Sequence, residues 1–248
     1  MLSFTGSLSR DSRAFVVFVT EKYEYKDKSH ILSKDLTQKI NSFLKQLKEK
    51  NRGEEISSLD ISNEKKCIVI KVKNKYENSY FEEIGGVFFT YIKKIKNINS
   101  IDIYADSLSE NKEKLVKIFS EFIFGFNLKS YTFNKYKTLN TDKINKKINF
   151  KIITSHKKNI ANEYKYYNAI KEGIFLTRDL VSEPPNVLSP KVYANEIKKL
   201  SKLGLKIKLY NEKELKKLGL NALLGVGQGS VNETYLVTIE WHGNKKQN

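Results

Sequence analysis

Cysteine, proline, histidine and arginine are all scarce in this chain of 248 residues. A single cysteine, Cys67, excludes an internal disulfide framework, and its place in the apolar run CIVIKV suits a buried thiol acting as a small hydrophobe. One cysteine and three scattered histidines (His30, His156 and His242) lack the clustered spacing of a zinc site. Four arginines (Arg10, Arg13, Arg52 and Arg178) among 45 basic residues leave few of the planar guanidinium forks on which base-edge readers rely. No apolar run approaches the roughly 18 residues of a membrane span. The opening MLSFTGSLSRDSRAFVVFVT lacks the basic start, long apolar segment and small-residue cleavage site of a signal peptide. A cytoplasmic, reducing address and no membrane partner are expected.

Composition otherwise describes a chain that folds. Hydrophobic residues make up 40% and charged residues 29%, mixed in sign, a globular rather than disordered balance. The length suits one large domain or two ordinary ones, at about 100–200 residues each. The net charge of +17 raises the idea of a nucleic-acid or membrane-surface partner. The lysines are spread along the whole chain, however, and accompany an excess of Asn, Ile, Tyr and Phe, as an AT-rich coding bias would produce. A solvated lysine-rich surface is the plainer account.

Strand and helix signals alternate without an internal repeat. AFVVFVT (14–20), KCIVIKVKN (66–74), SIDIYAD (100–106) and NFKIITS (149–155) read as strands. DLTQKINSFLKQLKEK (35–50) and ENKEKLVKIFSEFIFGFNLKSY (110–131) read as amphipathic helices, and SYFEEIGGVFFTYIKKIKN (79–97) as a helix interrupted by Gly85 and Gly86. The polar stretch 132–147 reads as a loop. This order predicts an α/β layer sandwich. A second layer begins with a long helix over 156–183, so we divide the chain into 1–155 and 156–248.

All three prolines, Pro184, Pro185 and Pro190, lie within TRDLVSEPPNVLSP. Pro184 should end the long helix by Glu183, and Ser189 with Pro190 should restart one as N-cap and first helical residue. The stretch is a stiff corner between two helices. Strands at 205–211 and 235–243 follow, with a short helix at 211–220 that Gly219 can close. ALLGVGQGS (222–230) reads as a glycine-rich turn. Its GVGQGS lacks both the Gly-x-Gly-x-x-Gly spacing and a Lys-Ser/Thr ending, so structural glycine is the better account than a phosphate loop.

The segments EGIFLTRDLVSEPPNVLSPKVYANEI, KLYNEKELKKLGLNALLGVGQGS and YLVTIEWHG closely resemble, in sequence and spacing, the opening of the catalytic domain of the leucyl (cytosol) aminopeptidases. Upstream, FIFGFNLKSYTFNKYKT (122–138) resembles the end of that family's N-terminal domain. The resemblance implies an N-terminal, macro-domain-like mixed sheet with flanking helices, followed by the incomplete beginning of an α/β metallo-exopeptidase domain. It also implies cytoplasmic hexamers that hold two divalent metals, manganese or zinc, and release N-terminal residues from peptides. Such metals polarise the scissile carbonyl and generate a hydroxide-like nucleophile.

The family's metal ligands come after the strand that YLVTIEWHG matches, so no catalytic, cofactor-binding or metal residue is assigned in this chain. Asn140-Thr141-Asp142 continues Lys-Ile-Asn and reads as a chance match. Arg178, Asp179, Glu183 and Asn186 match the family's motif, with the expected role of fixing and docking the corner. The expectation is a truncated or fragmentary chain, inactive alone, whose second part is poorly stable because its parallel sheet is unfinished. The alternatives are a basic nucleic-acid-binding module and an assembly partner that docks through the open sheet edge.

Overall fold

Every residue from Ala14 to Val19 is fully buried, as a strand covered on both faces requires. The computed structural model describes residues 2–9, 11–27, 30–50, 54–96, 98–108, 110–138 and 148–243. Contacts divide the chain into two units, Met1–Phe175 and Leu176–Asn248. In the first unit the strands β1 (Leu2–Thr5), β2 (Ala14–Val19), β3 (Ile56–Asp60), β4 (Lys66–Lys71), β5 (Ser100–Tyr104) and β6 (Asn149–Ile153) form one sheet in the order β1-β6-β5-β2-β4-β3. All neighbours run parallel except β3, which pairs antiparallel with β4 at one edge.

Alternation along these strands sends their side chains into two cores. Phe15, Val17, Cys67, Val69 and Tyr104 meet Ile40, Leu44 and Leu47 of α1 (Lys34–Lys50). Val16, Phe18, Ile68, Ile70, Ile101, Ile103 and Ile152 face the other way, against α2 (Tyr80–Lys94) and α3 (Lys112–Ser130). Aromatic rings fill that second core: Phe18 meets Phe119 edge-on at 5.1 Å, and Phe126 meets Phe150 edge-on at 4.3 Å. Asn111 caps α3 by accepting from the Lys114 amide at 2.9 Å. A fourth helix, α4 (Lys157–Ser182), buries Ile160 in the same core. It is tied to α3 by the Asn127 amide, which donates to Tyr164 Oη at 2.8 Å, and by the Tyr167 hydroxyl, which donates to Glu121 at 3.3 Å.

Gly85 and Gly86 do not interrupt α2. Gly85 instead lets the two helices touch: a Cβ there would sit 2.1 Å from the Phe122 carbonyl oxygen of α3. The relation is reciprocal, since a Cβ on Gly125 would sit 1.9 Å from the Glu82 carbonyl oxygen. The edge strand β3, in the stretch ISSLD, has no counterpart among the expected elements. Its mixed Ser, Leu and Asp pattern carries no run of β-branched residues to announce it.

The second unit contains α5 (Pro190–Lys199), a 3₁₀ turn over Leu200–Leu203, and the strand β7 (Lys206–Tyr210). The helices α6 (Glu212–Lys217) and α7 (Asn221–Gly227) and the strand β8 (Leu236–Glu240) follow. Gly204 and Gly219 take left-handed φ values of +87° and +73°, which glycine adopts without strain. The expected piece of parallel sheet is not formed, because β7 and β8 pair antiparallel, with Tyr210 opposite Leu236. The two intervening helices are short, and the Thr234 amide donates to Glu212 Oε1 at 2.9 Å. The chain therefore re-enters beside the end of β7 instead of crossing back to its start, as a parallel pair would need. The glycine-rich turn is likewise corrected, since Gly225 and Gly227 lie within α7. Among the described residues no helix is long and apolar enough to cross a membrane.

The glycine contacts give a paired prediction. Gly85→Ala and Gly125→Ala should each destabilise the fold by about 1–3 kcal/mol or more, because the added methyl meets backbone that must move. Gly86→Ala meets nothing nearer than 3.7 Å and should be neutral or stabilising by up to about 1 kcal/mol. Urea denaturation of the three variants measures the difference.

Candidate functional site

The corner begins where α4 ends. The Glu183 amide donates to the Leu180 carbonyl at 3.3 Å, and the Pro184 carbonyl then accepts from the amides of Val187 and Leu188, both at 2.9 Å. This single tight loop returns the chain to Ser189, whose extended backbone precedes Pro190 at the start of α5. Ser189 caps through its carbonyl, which accepts from Tyr193 N at 2.9 Å, and makes no side-chain cap bond. Between the two helices lies an apolar groove of about 480 Å³ lined by Thr177, Leu180, Val181, Leu188, Pro190 and Tyr193.

Of the residues that match the family motif, Arg178 and Glu183 are half-buried, while Asp179 and Asn186 are exposed. Arg178, Asp179 and Glu183 are each already engaged by an interaction. Beyond the corner, Asn211 and Glu214 form a reciprocal capping box at the start of α6, with bonds of 3.1 and 2.9 Å. Gly227 faces Thr234 so closely that a Cβ would fall 1.9 Å from its hydroxyl oxygen. The loop that leads into β8, packed against α7 through Thr234, thus accounts for this glycine.

Elsewhere the groups with chemical potential serve the fold. Burial pushes the Cys67 thiol up to about 12, so a nucleophilic thiolate is not available there. His30 lies exposed with φ at +48°, His156 opens the turn into α4, and His242 sits 3.4 Å from Glu240. The three belong to different elements. Among the described residues no three His, Cys, Asp or Glu side chains come together as metal ligands would. Asn140-Thr141-Asp142 lies outside the described residues.

In open α/β sheets, ligands favour the carboxyl ends of the strands where the chain's winding reverses. Here that place is between β2 and β5, and the chain's own polar groups occupy it. Asp27 accepts from the amides of Ile31 and Leu32 at 2.9 and 3.0 Å and from the Tyr104 hydroxyl at 2.7 Å. Ser107 accepts from Phe18 N at 2.9 Å through its hydroxyl, and from Lys26 N at 3.0 Å through its carbonyl. Asp106 takes the hydroxyl of Thr154 at 2.6 Å and both the amide and hydroxyl of Ser155, at 2.8 and 2.9 Å.

One polar group escaped attention in the sequence. Asp102 sits between two isoleucines in SIDIY and is fully buried, and a carboxylate at that point of an apolar strand is the signal that marks it.

Comparison with known proteins bears on the second unit first. Residues 175–248 match the model of the cytosol aminopeptidase family, catalytic domain. A probable cytosol aminopeptidase of Agrobacterium fabrum is 37% identical over 166 residues, which are 66% of this chain and 32% of that protein. One from Brucella suis is 35% identical over 176 residues, 69% of this chain and 34% of its own length. The chain therefore spans about a third of the length of the curated relatives it matches. Among solved structures, a mutant tomato leucine aminopeptidase superposes with a TM-score of 0.74 at 17% identity, covering 96% of this chain and 50% of that one. The bottromycin maturation enzyme BotP, in complex with Mn, gives 0.63 at 15% identity, over 92% of this chain and 45% of its own. These two likenesses concern the fold.

The buried thiol can be tested directly. Cys67 should react with a thiol reagent at about pH 8 at least a hundredfold more slowly in the folded chain than in denaturant; equal rates would mean that the thiol is open to solvent. With the catalytic-domain match over residues 175–248, sequence relatives that extend the likeness upstream, and a shared fold across nearly the whole length, the chain belongs to the cytosol (leucyl) aminopeptidase family.

Proposed function

We propose that this chain serves a metal-dependent aminopeptidase that releases N-terminal residues, leucine among the preferred, from peptides in the cytoplasm. The observation that carries this reading is the match of residues 175–248 to the family's catalytic domain. The two metals, manganese or zinc, the peptide substrate and the hexameric assembly are parts of the proposal for the complete enzyme.

The part assigned to these residues is scaffolding. They build the N-terminal domain, the corner at 183–190 and the first layer of the catalytic domain. A two-metal centre needs several carboxylate or imidazole donors converging on one point. The donors described here do not converge, and those at the strand ends already hold backbone amides and hydroxyls. The described residues do not fit such a centre, so no catalytic step is derived through them.

Calorimetric titration of the 248-residue chain with Mn²⁺ and Zn²⁺, together with an assay of leucine release from a leucyl anilide, tests this assignment. Neither tight stoichiometric binding nor metal-dependent release is expected. Two tight sites, or turnover that a chelator abolishes, would show that these residues hold the catalytic centre themselves.

A further inference from the structure

β3 is the outermost strand of its sheet and pairs on one side only, with β4. The pairing runs from Ile56 opposite Ile70 to Asp60 opposite Lys66 without a bulge, and the strand ISSLD holds no proline, so two devices that close an edge are missing. Two flanking bonds set the phase of the ladder: the Lys71 amide donates to the Glu55 carbonyl and the Ile61 amide to the Lys65 carbonyl, both at 2.8 Å. Bonded pairs recur at every second residue of an antiparallel ladder, so Glu55, Ser57, Leu59 and Ile61 turn their backbone groups to β4. The N–H and C=O groups of Ile56, Ser58 and Asp60 therefore point outward from the sheet.

On the α1 side this edge borders a groove of about 380 Å³. The Ser58 hydroxyl meets that of Tyr91 on α2 at 2.9 Å, so alternation turns Leu59 to the opposite face, where Leu59, Ile61 and Phe43 of α1 lie half-buried. The far wall is α1 itself. Gln38, Ser42 and Gln46 recur along it at intervals of four residues, on one helix face, and all three are exposed. Among the described residues no hydrogen bond engages their side chains. The charges that line the groove are already matched: Asp35 pairs with Lys39 at 2.9 Å, and Asp60 pairs with Lys66.

An open row of backbone donors and acceptors, an apolar floor and a ladder of neutral polar groups complement one kind of partner. We propose that the β3 edge and this groove dock an extended, uncharged peptide segment of another protein, which joins the sheet as a further strand. Its backbone pairs with Ile56, Ser58 and Asp60. Every second side chain of the segment falls on the α1 side, over Phe43, Leu59 and Ile61, and apolar side chains suit that floor. Charge selects against the alternatives. A charged segment would meet carboxylates and ammonium groups that are already neutralised, and would gain little for the water it gives up. A second copy of this chain would bring another net charge of +17 to the contact, and β3 paired antiparallel with itself about Ser58 would set the Asp60 carboxylate opposite Ile56.

Titration of the full chain with a capped, uncharged heptapeptide of alternating threonine and valine, read by hydrogen exchange at single amides, tests this. The amides of Ile56, Ser58 and Asp60 should gain several-fold protection as the peptide saturates, while those of Ser57, Leu59 and Ile61, already bonded to β4, should change little. Ser58→Pro removes an outward N–H without breaking a bond to β4 and sets a ring at the edge, so it should weaken binding by at least about tenfold with the fold retained. Gln38→Ala combined with Gln46→Ala, on the exposed face of α1, should weaken it by a smaller factor, and this double variant decides if Ser58→Pro fails to fold. No added protection at peptide concentrations up to about 1 mM, or equal affinity in the variants, would overturn the proposal. So would a dimer of the free chain that Ser58→Pro dissociates, because the edge would then belong to a second copy.

Discussion

Two glycines set the spacing on which the first unit is built. At the crossing of α2 and α3, the Phe122 carbonyl occupies the space that a side chain on Gly85 would need, and the Glu82 carbonyl occupies that of Gly125. The helices therefore meet backbone to backbone. Only at that separation do Phe88, Phe122 and Phe126 form one ring layer, with Phe88 5.5 Å from Phe122 and 5.9 Å from Phe126. The same layer receives Phe18 of β2, 5.4 Å from Phe122, so the helix crossing is keyed to the centre of the sheet. A wider crossing would leave gaps that no neighbouring side chain could fill, and interiors tolerate voids poorly.

The consequences run on to the element that leads into the catalytic-domain segment. With α3 fixed, Asn127 and Glu121 are placed to hold Tyr164 and Tyr167 of α4. Burial pushes both phenols up to about 12, which keeps each hydroxyl protonated and able to donate. The family segment then starts within α4 and turns at the proline corner. Its own interior is thin: among the described residues of the second unit, Ala194 and Leu215 are the buried hydrophobics. Val181 is 80% exposed, Val226 88% and Trp241 77%. Apolar surface on this scale is what one expects of a layer that functions packed against further polypeptide.

What the sequence revealed and concealed follows from how local each signal is. The strands at 14–19, 66–71, 100–104 and 149–153 were legible because burial on both faces demands near-continuous apolar runs. The end of α4 before Pro184 and the start of α5 at Pro190 were legible because proline fixes its own φ and constrains its neighbour. Gly85 was misread as an interruption because its reason is a carbonyl some forty residues away, and helix propensity is a local quantity that tertiary contact overrides. The antiparallel pairing of β7 with β8 was hidden for a related reason: it depends on where the Thr234–Glu212 bond returns the chain. Asp102 was visible as a carboxylate among isoleucines, but the bond it accepts from the Ser9 amide joins residues 93 positions apart and no spacing rule announces it.

The central claim is that the first unit is a complete packed body while the family segment presents its apolar surface outward. Limited tryptic digestion of the full chain under native conditions, followed by mass analysis, tests it most directly, because cleavage requires local opening. The account predicts cuts at Lys198, Lys202, Lys213 and Lys217 well before any at Lys66 and Lys71 of β4 or Lys114 and Lys117 of α3. Cleavage within β4 or α3 as early as between Lys198 and Lys217 would contradict it.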